Sequence, residues 1–392
     1  MGDSVAGDNG SSAPWRIGVL FSQSGVTAGI ERTQLNATLL AIGEINASGG
    51  ILGRPIEPIP RDPASNPKQF RAFAEQLMAE EQVNIILGCY MSSTRKAVLP
   101  VVEGRKGLLF YPTLYEGFEY SAHCVYTGAA PNQNSVQLAR YLIERYGNRF
   151  LLVGSNYIYP YESNRIMTDL VVQAGGKVVD ELYVPLDAKP QDFDRAIRQM
   201  KKTAPDVVFS TVVGGGTAMF YEAYRKAGFD PAKMPISSLT TSEAEIAEMS
   251  AEAAEGAITA APYFETLPGA ANRAFVSAFK LRFGPDAPVT AEAEAAYFQV
   301  HLMALAIARA GTTIASALMP ELYRIDFDAP QGNVQIDAEN NHTWLTPRVG
   351  RVNAEKRFEI VWDANVRVKP DPYFLAPRLD DWTAPDPRAA NA

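Results

Sequence analysis

Histidine and cysteine are scarce in this chain, and positive charge never accumulates. Of 392 residues three are histidine (His123, His301 and His342), and their spacing matches no metal-ligand motif, so no metal site is expected. Two cysteines, Cys89 and Cys124, do not make a disulfide framework. Cys89 closes an apolar run and reads as a buried thiol. Basic residues adjoin only in pairs such as Arg95-Lys96 and Lys201-Lys202, and the formal net charge is −8, which argues against direct nucleic-acid binding. No window reaches the roughly 18 consecutive apolar residues that a membrane span needs. The opening stretch lacks both a basic and an apolar segment, so residues 1–14 read as a disordered polar leader and not as a secretory signal. Taken literally this places the protein in the cytoplasm, or in the periplasm where a native signal has been removed.

Catalytic signatures are also missing. Gly214-Gly215-Gly216-Thr217 follows a strand pattern, but no Gly-Lys-Ser/Thr ending follows, and Met219 stands three residues after Gly216 where a dinucleotide fingerprint needs glycine. A tight strand-to-helix turn explains these glycines. There is no Gly-x-Ser-x-Gly elbow and no local Ser/Cys–His constellation. The chain is therefore expected to be a binding protein, without enzymatic activity or cofactor.

What the chain does have is an alternation of strand and helix patterns. Short apolar runs at 16–22, 83–87, 108–111, 150–153, 207–213 and 257–261 have the continuous hydrophobicity of parallel strands buried on both faces. Helical spacing lies between them, as in Leu35, Leu39, Ile42 and Ile45, or in 69–79 and 135–146. Two strand–helix–Gly-Gly units, one opening at Ile17 and closing at Gly49-Gly50, the other opening at Phe150 and closing at Gly175-Gly176, suggest two similar lobes. Segments 126–134, 261–266 and 329–334 look like passages between them. Patterns at 270–283 and 291–310 read as helices, and 333–361 as short strands. The expected division is 15–127 plus 265–329 for one lobe and 128–264 plus 330–368 for the other, with a proline-rich tail over 369–392.

Tyrosines and hydroxyls gather just beyond the strand ends, in Gly88-Cys89-Tyr90-Met91-Ser92-Ser93-Thr94, Tyr111-Pro112-Thr113-Leu114-Tyr115, Ser155-Asn156-Tyr157-Ile158-Tyr159 and Ser238-Leu239-Thr240-Thr241-Ser242. In an open α/β sheet the carboxyl ends of the strands line the ligand crevice. Four such ends would face one another across a cleft. Aromatic walls with a few convergent polar groups suit a small, neutral, planar ligand. Ser92 or Ser93 could alternatively cap the helix that follows.

At these residues the chain resembles a known family. Gly88 to Ser92 with Thr94-Arg95-Lys96-Ala97-Val98, Tyr111-Pro112-Thr113 with Tyr115-Glu116-Gly117-Phe118-Glu119-Tyr120, and Pro131 to Ser135 are similar to the amide sensors that regulate bacterial aliphatic amidase operons. So are Tyr157 to Pro160, Ser238 to Glu245 and Asp328 to Gly332. The periplasmic urea and short-chain amide receptors of ABC transporters share the Arg-Lys-Ala-Val and Tyr-Glu-Gly strings. The resemblance implies a type I periplasmic-binding fold, in which two α/β lobes, each a mostly parallel sheet flanked by helices, are joined by three crossovers and close on the ligand. It implies ligand contacts at Tyr90, Ser92, Tyr111, Thr113, Tyr157 and Thr240. It further implies a cytoplasmic sensor that holds an RNA-binding antiterminator protein until an amide releases it, or alternatively a urea or amide transport receptor. Leu114 stands where the amide sensor has proline, so ligand chain length turns on this residue. None of the implied contacts is charged, which predicts poor binding of free amino acids. The number of chains in the assembly is left open, a homo-oligomer included.

Overall fold

The computed structural model describes residues 13–374; the leader over 1–12 and the tail over 375–392 lie outside the described residues. The chain begins with β1 (Trp15–Leu20), α1 (Ala28–Ala47), β2 (Ile56–Arg61), α2 (Pro67–Ala79), β3 (Ile85–Gly88), α3 (Ser92–Gly104), β4 (Leu108–Tyr111) and β5 (Cys124–Tyr126). These strands form one parallel sheet in the order β2-β1-β3-β4-β5. Successive side chains of a strand point to opposite faces, so each strand feeds two cores. Ile85, Leu87, Leu108 and Phe110 face one of them, and Ile86, Leu109 and Tyr111 face the other. That double burial is why the runs are apolar without alternation.

The second lobe repeats the plan with α4 (Ser135–Arg145), β6 (Arg149–Ser155), α5 (Ile158–Gln173), β7 (Lys177–Val184), α6 (Asp194–Thr203), β8 (Val207–Thr211), α7 (Gly216–Lys226), β9 (Ile236–Ser238), α8 (Glu243–Ala247), α9 (Ala251–Ala254) and β10 (Ile258–Ala261). The chain then returns to the first lobe as α10 (Ala270–Phe283), α11 (Ala291–Ala310), α12 (Ala315–Leu322) and a small antiparallel sheet of β11 (Asp326–Ala329), β12 (Gly332–Ile336) and β13 (Thr343–Trp344). It crosses once more to finish the second sheet with β14 (Arg348–Val352) and β15 (Phe358–Asp363). That sheet runs β15-β14-β10-β9-β8-β6-β7, with β14 and β15 antiparallel to their neighbours.

One expectation needs correction. The sequence pattern places 330–368 in the second lobe, with the last passage at 329–334. In the structure Val334, Ile336 and Leu345 enter the core that Ile17, Phe110 and Phe298 build in the first lobe. His342 bridges Tyr126, which attaches the small sheet to the edge of the first. The last crossing therefore falls between Leu345 and Arg348. The small sheet escapes detection because its strands are short and half polar, so they carry no periodic signal over enough residues.

The passages are fastened side by side. Gln133 donates to the carbonyls of Thr343 (2.9 Å) and Val368 (2.8 Å) while its Oε1 accepts from the Ala130 amide. Asn132 donates to Lys369 O and accepts from the Asp371 amide. Arg348 donates to the carbonyls of Pro262 and Gln331 and to Asp363.

Candidate functional site

The strand ends of the two sheets meet across a closed cleft. Ile30, Tyr90 and Met91 from the first lobe pack against Tyr157, Leu186 and Ala244 from the second. At the mouth Gly214 adopts φ +63° and lies so close to Val26 that a Cβ there would stand 2.3 Å from the Val26 carbonyl oxygen. Only glycine permits that approach and that backbone conformation together. The glycine run thus forms both the turn into α7 and a contact between lobes. A cavity of about 330 Å³ opens beside it, lined by Val26, Thr27, Ile30, Leu186, Gly214 and Glu245 among others.

Four of the residues picked out by sequence lie close together. Tyr90 is buried, and its carbonyl accepts from the Tyr111 hydroxyl at 2.6 Å. Tyr111 lies under the Arg95 guanidinium, 4.8 Å from its ring centroid. Ser92 begins α3 but does not cap it: the N-cap is Met91, with no side-chain cap, and Ser93 does not cap it either. Ser92 instead donates its hydroxyl proton to Glu116 and accepts from Arg95 Nη1 at 3.2 Å. Tyr157 precedes α5 in extended conformation and packs against the cluster that holds Tyr90 and Met91.

The other three occupy different positions. Thr113 Oγ1 accepts from Gln34 Nε2 at 2.9 Å. Leu114 packs against cores of both lobes and lines a hinge cavity of about 20 Å³ together with Pro112, Ala260 and Glu292. Thr240 turns its hydroxyl toward its own lobe, to the Val212 carbonyl at 3.3 Å, and its amide is held by Ser238.

A buried ion network supports the first-lobe wall. Arg95 is fully buried, with Nε 2.7 Å from Glu119 and Nη2 3.2 Å from Glu116, and Lys96 reaches Glu119 at 2.9 Å. Burial works against the Arg95 charge, but Glu116, Tyr111 and Glu119 outweigh it and keep the guanidinium protonated. Burial likewise raises the Glu119 carboxyl, yet Arg95 and Lys96 hold it down to about 2. The two acids and two bases balance, so the network stiffens the wall without giving it net charge.

Sequence patterns did not single out Gln34 or Glu292, because each lies within a helix, whereas Tyr159 and Glu245 fall inside the strings noted after the strand ends. All four side chains are buried in the structure. Tyr159 Oη, Gln34 Oε1 and Glu292 Oε2 have no hydrogen-bond partner among the described residues. Burial pushes the Glu245 and Glu292 carboxyls up to about 7. Buried polar atoms normally find partners, and a run of unpartnered ones in facing walls is the signal that could have marked these positions.

A family model described as "Periplasmic binding protein domain" matches residues 15–378. Among curated proteins, the "Leu/Ile/Val-binding protein homolog 6" of Brucella melitensis is 24% identical over 294 residues, covering 73% of this chain and 75% of its own. The leucine-, isoleucine-, valine-, threonine- and alanine-binding protein of Pseudomonas aeruginosa is 26% identical over 315 residues, 79% of this chain and 82% of its own. Among solved structures, an ABC-transporter solute-binding protein from Rhodopseudomonas palustris in complex with p-hydroxybenzoic acid superposes with TM-score 0.82 at 21% identity, covering 93% of this chain and 99% of its own. That likeness establishes the two-lobed fold.

Proposed function

The chain belongs to the periplasmic binding protein family, and from that premise we propose that it is a transport-type receptor whose lobes close on urea or a short-chain amide. The observation that carries this reading is the state of Ser92. Its proton is committed to Glu116 and one lone pair to Arg95, so what remains can only accept a hydrogen bond. A ligand N–H satisfies that site and a carboxylate does not. Arg95, the buried cation of the wall, is taken up by Glu116 and Glu119 and is not available to an anion. Tyr90, Tyr111 and Tyr157 supply flat walls for a planar ligand, and Leu114 limits the space at the hinge. The role is binding without chemical change to the ligand, and it is exercised in the periplasm.

A four-heavy-atom ligand gains at most roughly 6 kcal/mol, a dissociation constant on the order of tens of micromolar. Near-complete enclosure is therefore required, and lobe closure supplies it. The test is a calorimetric titration of purified protein with urea, acetamide, propionamide and butyramide, alongside isoleucine and 4-hydroxybenzoate. Saturable binding of urea or amides, with neither acid bound, supports the reading. Tight binding of either acid, the ligand type named for the relatives, overturns it.

A second reading is favoured by the long strings at 88–98 and 111–120: a cytoplasmic amide sensor that sequesters an RNA-binding antiterminator. It is supported if an antiterminator co-purifies and acetamide releases it, and abandoned if the protein engages a transporter's membrane subunits instead.

A further inference from the structure

Several buried polar atoms around the cleft are unpartnered among the described residues. Glu292, in the first turn of α11, is 5% exposed and its Oε2 is unpartnered among the described residues. Its charge reaches Tyr90 in the first lobe, Tyr159 in the second, and Glu243 and Glu245 in α8. It also lines the hinge cavity with Leu114. Glu292 therefore sits at the seam where both lobes and the hinge meet. Its position at a helix N-terminus favours the ionised carboxylate, while burial without a counter-ion opposes it.

The charged and titratable groups that face Glu292 are phenols and acids, and the neutral donors at its carboxylate are its own backbone N–H and the Thr290 hydroxyl. The nearby buried cations are already engaged, Arg95 by Glu116 and Glu119, and Arg348 by Asp363 and backbone carbonyls. Gln34 Oε1 adds another open acceptor, and Tyr159 Oη and Ser163 Oγ can serve in either sense. A neutral amide leaves the ionised carboxylate without a counter-ion. A planar cation with several N–H donors does not.

We propose that the cleft also binds amidinium and guanidinium ions, the positively charged isosteres of short amides and urea, with Glu292 as their counter-ion. The proposal rests on the interlobe cleft being the ligand site. Guanidinium has the size and plane of urea, with a third nitrogen in place of the carbonyl oxygen, so a group that would repel that oxygen accepts a hydrogen bond instead. Binding of the cation keeps Glu292 ionised and releases any proton it held. Affinity therefore rises with pH, by up to about tenfold between pH 6 and pH 8.

The experiment is calorimetric titration of the full chain with acetamidinium and guanidinium chlorides at millimolar concentration, with ionic strength matched by sodium chloride, beside urea and acetamide. Saturable cation binding that strengthens with pH, with proton release measured in buffers of different ionisation enthalpy, is the expected result. Glu292→Gln should lower the ratio of acetamidinium to urea affinity at least tenfold. If that variant does not fold, the pH slope and proton release of the unmutated protein still decide. Saturation by urea or acetamide with no cation binding overturns the proposal and leaves the cleft reading intact. Saturation by none of them overturns both, and cation binding that is independent of pH removes Glu292 from the role.

Discussion

Ser92 donates its hydroxyl hydrogen bond to Glu116, across 24 residues of sequence, and this contact sets what the hydroxyl can offer a ligand. With its proton engaged, Ser92 presents a lone pair. The selectivity proposed for the cleft thus depends on a residue that need not touch the ligand.

Ser92→Ala should weaken urea or amide binding by about 1–3 kcal/mol, the cost of stranding a ligand donor. Glu116→Gln should weaken it by a comparable amount, because a carboxamide can donate to Ser92 and reverse the hydroxyl. Calorimetry on the two single variants and the double variant checks this. Additive losses would show that Glu116 does not act through Ser92.

Arg95→Leu leaves Glu116 and Glu119 facing each other in a buried site. Folding stability should fall by about 3–5 kcal/mol, as for other buried pairs that lose one partner. Thermal and chemical unfolding measure it, and a loss no larger than that of an exposed pair such as Arg71–Glu75 would refute it.

Gly214→Ala should act on closure. The new methyl would meet the Val26 carbonyl in the closed form, and the left-handed backbone costs a further 1–2 kcal/mol or so. Ligand affinity should drop by about tenfold or more, with a larger radius of gyration by small-angle scattering in the presence of ligand. Unchanged affinity and radius would mean the two lobes do not meet here.

Stability without ligand should decline from pH 5 to pH 8. Burial pushes Glu31, Glu245 and Glu292 up to about 7 in the folded protein, against about 4.3 when unfolded. Between those values the folded form holds protons that the unfolded chain has released. Stability is therefore fullest below the unfolded value and is lost as pH rises through about 7. Melting temperatures across the range test this, and Glu292→Gln should flatten part of the slope. A melting temperature that climbs from pH 5 to pH 8 would contradict it.

Much of the fold was legible because parallel strands buried on both faces must be apolar throughout. Ile85–Gly88 and Leu108–Tyr111 declare themselves in this way, and so do the helices 270–283 and 291–310, whose observed bounds match the pattern. The first-lobe membership of 330–345 was not legible, since it depends on which core receives Val334, Ile336 and Leu345. In the cleft, the strings after strand ends pointed to Tyr90, Ser92, Tyr111 and Tyr157. Gln34 and Glu292 were hidden because a polar residue within a helix gives no sign of facing solvent or a cleft until its neighbours in space are known.

The return of the chain to its first lobe has a bearing on how the protein is made. The core around Ile17 and Phe110 is completed by Phe298 and Leu345, and the second sheet by β14 and β15 near the end of the described chain. On a ribosome neither lobe can be finished until most of the polypeptide has emerged. Synthesis at about 5–20 residues per second leaves the early apolar strands waiting for many seconds. A nascent chain stalled before Ala291 should therefore bind chaperones, and the native state should be reached only after release.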